Sequence, residues 1–274
     1  MLGLGKLCDL LFELSNEDRL RILDQLNKEA MNVTNLSRAL GLTTQESSRH
    51  VSRLSEVGLT QKDVDGFHHL SPYGKLILKQ LPALEFTSLH RDYFTTHFPE
   101  RLPLEFVGRL GELGDSTHTD DIMVAFHSME TMMREAEEYI WVITDQYLMS
   151  TLPLLCKAFE REVNVKTIDP KNWVPPLKLK ESIRTEYAKA VWQARKTGLI
   201  EERMLEQLDI NLYMSEKEVS VLAFPTLDGK FDYLGFTSID KRAHKWCSDL
   251  FQHYWERAET KKEFVLIPRA ENYK

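Results

Sequence analysis

Six side chains, Thr44, Gln45, Ser48, Arg49, Ser52 and Arg53, recur at intervals that place them on one face of a helix. Hydroxyls, a carboxamide and two guanidiniums are groups that bond phosphate oxygens and base edges in the DNA major groove. A merely solvated face more often carries Glu and Lys pairs. Polar outer faces are nevertheless common on amphipathic helices, and that plainer reading stays open. No catalytic residue, cofactor or metal site is expected, because the sequence has no P-loop, no glycine-rich dinucleotide loop, no GxSxG and no CxxC.

That face needs a scaffold, and the flanking sequence spells one. Ser15, with Asp18 three residues on, is placed as the cap of a helix that turns Leu20, Ile22, Leu23 and Leu26 inward. Thr34 is placed as the cap of a second short helix with Leu36, Ala39 and Leu40 inward, and Gly41 ends it. Thr43 and Glu46 open a third helix that runs to Gly58 and buries Ser47, Val51, Leu54 and Val57. Residues 59–64 and 67–70 alternate as two strands joined by Asp65 and Gly66, a pair favoured in two-residue hairpins. Ser71 and Pro72 then start a last helix that ends near Gln80. Helix, helix, turn, helix, hairpin, helix is the order of a winged helix-turn-helix.

The stretch LGLTTQESSRHVSRLSEVGL, with LSPYGK after the hairpin, resembles the arsenic-repressor-like and multiple-antibiotic-resistance-like winged helix families of regulators. The resemblance implies an α+β DNA-binding domain over residues 1–81. Gln45, Ser48, Arg49, Ser52 and Arg53 then fall on the recognition helix, and Lys62, His68 and His69 on the wing. It also implies double-stranded DNA as partner and a homodimer, since such modules read two half-sites. Metal-responsive members carry clustered cysteines near that helix, and this sequence has none there.

Composition narrows the setting. No apolar run is long enough to span a bilayer, so no membrane partner is expected, and the opening MLGLGKLCDLLFEL reads as a first helix. Cys8, Cys156 and Cys247 are odd in number and far apart, which suits a reducing cytoplasm. Residues 1–81 balance ten Lys and Arg against ten Asp and Glu, so the net charge of −7 belongs wholly to residues 82–274. Strong nonspecific attraction to nucleic acid is therefore not implied.

Residues 82–119 read as a helical connector broken at Pro82, Pro99 and Pro103, with residues 114–121 as a linker. Phe86, Leu89, Tyr93 and Phe94 have helical spacing there, and serve either packing or a dimer contact. Residues 120–274 alternate between strands at 139–143, 163–168, 210–214, 219–224 and 231–236 and helices at 147–162, 182–196 and 242–260, with a last strand at 264–267. Pro153 is placed as a kink in the first of these helices. The pattern predicts a layered α/β domain with a mainly parallel sheet and a hairpin turning at Leu227, Asp228, Gly229 and Lys230. Ligands in such sheets sit beyond the carboxyl ends of parallel strands, which makes Thr144, Asp145, Asp169 and Trp173 the candidate effector site. Thr144 and Asp145 serve equally well as helix caps. His244, Cys247 and His253 share one helix, but His253 falls off the face of the other two, so no metal is expected.

VLAFPTLDGKFDYLGF is similar in spacing to the phospholipase D signature. Val221 and Ala223 stand where that family has its nucleophilic His and phosphate-binding Lys, Asp228 at its Asp, and Gly235 and Phe236 at its Gly and Ser. The covalent step loses its participants, which implies a catalytically inert phospholipase D-like fold. The whole arrangement resembles archaeal regulators whose central domain is named for a methanogenesis regulatory protein. Archaeal sugar-responsive repressors join a winged helix to a similar inert domain. The expectation is thus a homodimeric transcriptional regulator controlled by a small-molecule effector. The alternatives are a DNA-targeted phosphodiesterase-like enzyme with a rearranged site, or a protein-interaction module.

Overall fold

The computed structural model describes residues 3–174 and 176–260, which divide into two compact units between Leu84 and Glu85. The first unit contains helices α1 (Leu4–Leu14), α2 (Glu17–Lys28), α3 (Val33–Leu40) and α4 (Thr44–Glu56), strands β1 (Thr60–Lys62) and β2 (His68–Leu70), and helix α5 (Pro72–Leu78). Its core gathers Ile22, Leu23 and Leu26 of α2, Leu36 of α3, Val51 and Leu54 of α4, and Leu59 and Leu70 of the hairpin. Leu20 and Ala39, expected inward, are exposed.

Two caps lie elsewhere than the sequence reading placed them. Asn16, with extended backbone, accepts the Arg19 amide and starts α2, while the Ser15 hydroxyl turns back to the Phe12 carbonyl at the end of α1. Asn32 caps α3 by accepting the Asn35 amide, which leaves Thr34 inside the first turn. Gly41 closes α3 in the left-handed region, where a side chain would be strained. Thr43 and Glu46 form the expected capping box, and this fixes the start and direction of α4.

In the hairpin Thr60 faces Leu70, Gln61 faces His69 and Lys62 faces His68. The loop is one residue longer than expected: the Asp63 amide donates to the Phe67 carbonyl, and Asp63 Oδ1 accepts from Asp65 and Phe67. Ser71 caps α5 with Pro72 at its first turn. A Cβ on Gly74 would meet the Leu59 carbonyl oxygen, so only glycine lets α5 lie against the hairpin.

Helix α6 (Leu81–Leu89) is started by Pro82 rather than broken by it, and α7 (Arg91–Phe94) follows. Then come α8 (Leu104–Val107), a 3-10 turn (Leu110–Leu113) and strand β3 (Thr117–Thr119), where a linker was expected. The order continues with α9 (Ile122–Glu135), β4 (Tyr139–Ile143), α10 (Thr151–Glu160), β5 (Asn164–Pro170), α11 (Leu177–Thr185), α12 (Ala188–Thr197), β6 (Ile200–Leu205), β7 (Asn211–Ser215), β8 (Val219–Ala223), β9 (Gly235–Ser238), α13 (Lys241–Arg257) and β10 (Glu259–Thr260). Pro153 lies in the first turn of α10, where no intrahelical donor is lost. The single helix expected at 182–196 is two, and the strand expected at 264–267 lies outside the described residues.

The sheet order is β10-β6-β5-β4-β7-β8-β9-β3, and only β4–β5 and β5–β6 are parallel. The sheet is therefore mainly antiparallel, which corrects the expectation. Strands β8 and β9 do pair antiparallel, but β9 starts only at Gly235, so the exposed turn at 227–230 does not join them tightly. Ile140, Val142, Val165 and Val221 pack against Met129 and Met132 of α9 and Ala158 of α10. Trp141, pointing to the opposite face, stacks on Phe251 of α13 at 4.6 Å. The connector helices complete that side, with Phe86 5.0 Å from Phe236 and the Tyr93 hydroxyl bonded to Phe224 and Leu234. Leu89 points outward. Among the described residues no helix is long and apolar enough to cross a membrane.

Candidate functional site

Helix α4 presents Thr44, Gln45, Ser48, Arg49 and Ser52 to solvent along one shallow open concavity that also touches Arg53 and Glu56. The opposite face holds Ser47, His50, Val51 and Leu54 in the core, so the polar face cannot roll inward. Ser52 donates to Glu56. His50, not anticipated as a core residue, is buried, and desolvation holds its imidazole below the ordinary range, helped by Arg49 and Arg19.

Arg53 is held differently from its neighbours. Its guanidinium bonds Glu13 of α1 through Nε (3.0 Å) and Nη2 (2.7 Å) and lies 5.2 Å from the centre of the Phe12 ring. Glu13 is only 7% exposed and also meets Arg19 Nε at 3.2 Å. The bond to Glu13 raises the Arg53 pKa further. Arg53 therefore ties α4 to α1 instead of projecting with Arg49, a role hidden from the sequence because the two partners are 40 residues apart.

On the hairpin, Lys62 is exposed and His69 half-exposed. His68, expected beside them, is 8% exposed and faces the core with Leu70. Successive strand residues point to opposite faces, so His68 and His69 cannot share an outer surface. The residue that shares the outer face with His69 is Gln61, its cross-strand partner.

The second candidate site separates into two groups. Asp169 and Trp173 line a cavity of about 70 Å³ in the second unit, together with Tyr147, whose hydroxyl donates to Asp169 Oδ1 at 2.5 Å. Burial, then Asp169, pushes the Tyr147 pKa up. Thr144 does not line it. It is fully buried, donates to the Gln146 carbonyl and accepts from Asn211, with the Tyr213 hydroxyl 3.2 Å away. Asp145 also lies outside the lining, and desolvation raises its carboxyl. Cys156 of α10, Arg195 of α12 and Glu202 of β6 also line the cavity and were not candidates for it in the sequence; the packing of the helices on the sheet, not local spacing, brings them together.

The positions matched to the phospholipase D signature are closed. Val221, Ala223 and Phe236 are buried, and a Cβ on Gly235 would meet the Leu222 carbonyl oxygen. Asp228 sits on the exposed turn with Thr226 and Lys230, which hold its carboxyl down at about 2. On α13, His244 bonds Ser215 and Tyr139, His253 meets Glu105, and Cys247 is buried. Among the described residues no three potential metal ligands gather.

Residues 14–61 match a helix-turn-helix domain family, and residues 124–257 match the middle domain of the methanogenesis regulatory protein FilR1. Among solved structures, the chain is similar to TrmBL2, an archaeal chromatin protein, at 16% identity over 90% of this chain and 94% of that one, with a TM-score of 0.42. It is also similar to the homodimeric winged helix-turn-helix domain Mb0332 from Mycobacterium bovis (23% identity, 27% and 72% covered, TM-score 0.26). A third is Nuc, a phospholipase D family member from Salmonella typhimurium (13% identity, 49% and 89% covered, TM-score 0.34). No curated protein sequence matches.

Proposed function

We propose, on the premise that this chain is a DNA-binding transcriptional regulator joining a winged helix-turn-helix domain to a FilR1-type middle domain, that it reads DNA as a homodimer under the control of a small-molecule effector. The observation that carries the reading is the outward face of α4, where Thr44, Gln45, Ser48, Arg49 and Ser52 stand exposed on a helix whose start is fixed by a capping box. His69 and its cross-strand partner Gln61 add one face of the hairpin, Lys62 adds an exposed cation at its turn end, and Arg53 contributes by anchoring. Residues 1–81 carry no net charge, so one copy neutralises few phosphates, and two copies are needed for tight binding.

Helix α1 supports the dimer. Leu4, Leu7, Leu11 and Phe12 are exposed on it, an apolar stripe that a second copy would cover. The cavity beside Asp169 and Trp173 supports the effector role, which falls to residues 120–274, while residues 1–81 hold the DNA contacts. The diesterase alternative has the burial of Val221 and Ala223 against it.

Analytical ultracentrifugation of wild type and a Leu7→Glu/Leu11→Glu double variant, with and without a captured genomic fragment, tests the reading. Wild type is expected to be dimeric and to bind as a dimer. The double variant is expected to be a folded monomer with at least about tenfold weaker binding, since two half-sites are no longer linked. A monomeric variant with full affinity contradicts the dimer.

A further inference from the structure

Several polar groups on the outward side of α4 are committed within the protein. Arg53 closes on Glu13, and Ser52 donates to Glu56 at 3.3 Å. Glu46 turns its carboxylate back to the amide and hydroxyl of Thr43, at 2.9 and 2.7 Å, so it does not compete for Arg49 three residues on. Gln45 and Arg49 are exposed and make no hydrogen bond or ion pair within the described residues. Thr44 and Ser48 are exposed as well, but a hydroxyl donates and accepts at one atom and bonds any base edge or phosphate.

The two uncommitted groups are of the kind that tells bases apart. A carboxamide sets an acceptor beside a donor, which matches N6 and N7 of adenine, whereas a guanidinium sets two donors side by side, which match O6 and N7 of guanine. Neither base satisfies both bonds of the other's partner. Four residues of spacing put Gln45 and Arg49 on one side of the helix with a rise of about 6 Å between them. Base pairs in the duplex repeat at about 3.4 Å, so the two side chains reach pairs no more than two steps apart. Both lie in the first two turns of α4, and it is the N-terminal residues of a recognition helix that meet base edges. Ser47, His50, Val51 and Leu54, buried on the far side, and the Thr43–Glu46 box hold this spacing before DNA arrives.

We infer that Gln45 and Arg49 set the sequence that α4 reads, Gln45 taking an adenine and Arg49 a guanine through the major groove, on base pairs at most two steps apart. Ser52 and Arg53, committed inside the protein, choose no base. This assignment rests on α4 being the helix that meets DNA, and needs neither the dimer nor the effector.

Selection from a randomised duplex library by the full-length protein, followed by affinities for every single-base variant of the selected site at one salt concentration, tests it. Replacing the read A·T or G·C pair is expected to weaken wild type about tenfold or more. Gln45→Ala is expected to lose the penalty at one A·T pair alone and Arg49→Ala at one G·C pair alone, the two pairs lying at most two steps apart. Both variants are expected to keep the wild-type unfolding midpoint, because the truncated side chains are exposed and unpartnered. Arg49→Lys, which keeps donors for O6 and N7, is expected to retain a weaker guanine preference. Relaxation at no position, at the other base, or at pairs further apart overturns the assignment. So does an Arg49→Ala that weakens all sequences equally and lowers the salt slope by about one, since Arg49 then meets a phosphate. Absence of binding to any duplex overturns the reading of α4 as the DNA-contacting helix, whereas specific binding with other contacts overturns the base assignment alone.

Discussion

Arg53 of α4 and Glu13 of α1 are joined by two hydrogen bonds, of 2.7 and 3.0 Å, across 40 residues of sequence. The pair separates two arginines that look equivalent in the sequence. Arg49 is exposed on the outward face of the helix, and Arg53 fixes the helix to its neighbour.

Arg53→Ala is expected to shift the unfolding midpoint to lower urea. Glu13 keeps Arg19 as a partner, and the Arg53 side chain is 37% exposed, so the loss stays below that of a fully buried pair. Urea unfolding monitored by circular dichroism measures it. Arg53→Lys is expected to recover only part of the loss, because an ammonium cannot reproduce the two-pronged bond. An unchanged midpoint for Arg53→Ala would show that the pair anchors nothing.

The two histidines of the hairpin are expected to part company. His69→Ala weakens DNA binding by a few fold while leaving unfolding within about 0.5 kcal/mol of wild type. His68→Ala does the reverse, since its side chain packs inward. Binding and unfolding measured on both variants decide the matter, and a larger binding loss for His68→Ala contradicts the orientation of β2.

Stability is expected to fall in mild acid. Burial holds the imidazoles of His50 and His68 below the ordinary value of 6.5, and His90 and His253 of the second unit shift the same way for the same cause. Well above pH 6.5 all four are neutral in both states. Below it the unfolded chain takes up protons that the folded chain refuses, so stability is lost as pH falls from 6.5 through the lowered folded values. Melting temperature measured from pH 7 to pH 5 in a constant-ionic-strength buffer is expected to drop, with a shallower drop in His50→Leu. A flat profile overturns this account.

The legible parts of the fold were the local ones. The Thr43–Glu46 box, the Gly41 stop and the Ser71–Pro72 start each depend on residues a few positions apart. Where neighbouring residues compete for one role, as Ser15 with Asn16 and Thr34 with Asn32, sequence order alone did not choose between them. Strand β6 was missed because its charged residues hid the alternation; Glu202 is paired with Arg195, and Arg203 lies 4.3 Å from the Trp255 ring and bonds its carbonyl. The parallel or antiparallel sense of each pair is set by which distant strand lies alongside, and that is not written locally. The outer face of α4 was readable from periodicity, but the diversion of Arg53 to Glu13 needed the fold.

Arg49 is the exposed guanidinium on the outward face of α4. Genome-wide DNA capture with the wild-type chain and with Arg49→Ala compares the sites each retains, at one stated salt concentration. Discrete sites are expected for wild type, with affinity at those sites reduced by about 1–3 kcal/mol in Arg49→Ala and stability unchanged. Retention of the same sites at the same affinity by Arg49→Ala would contradict DNA reading by this face of α4.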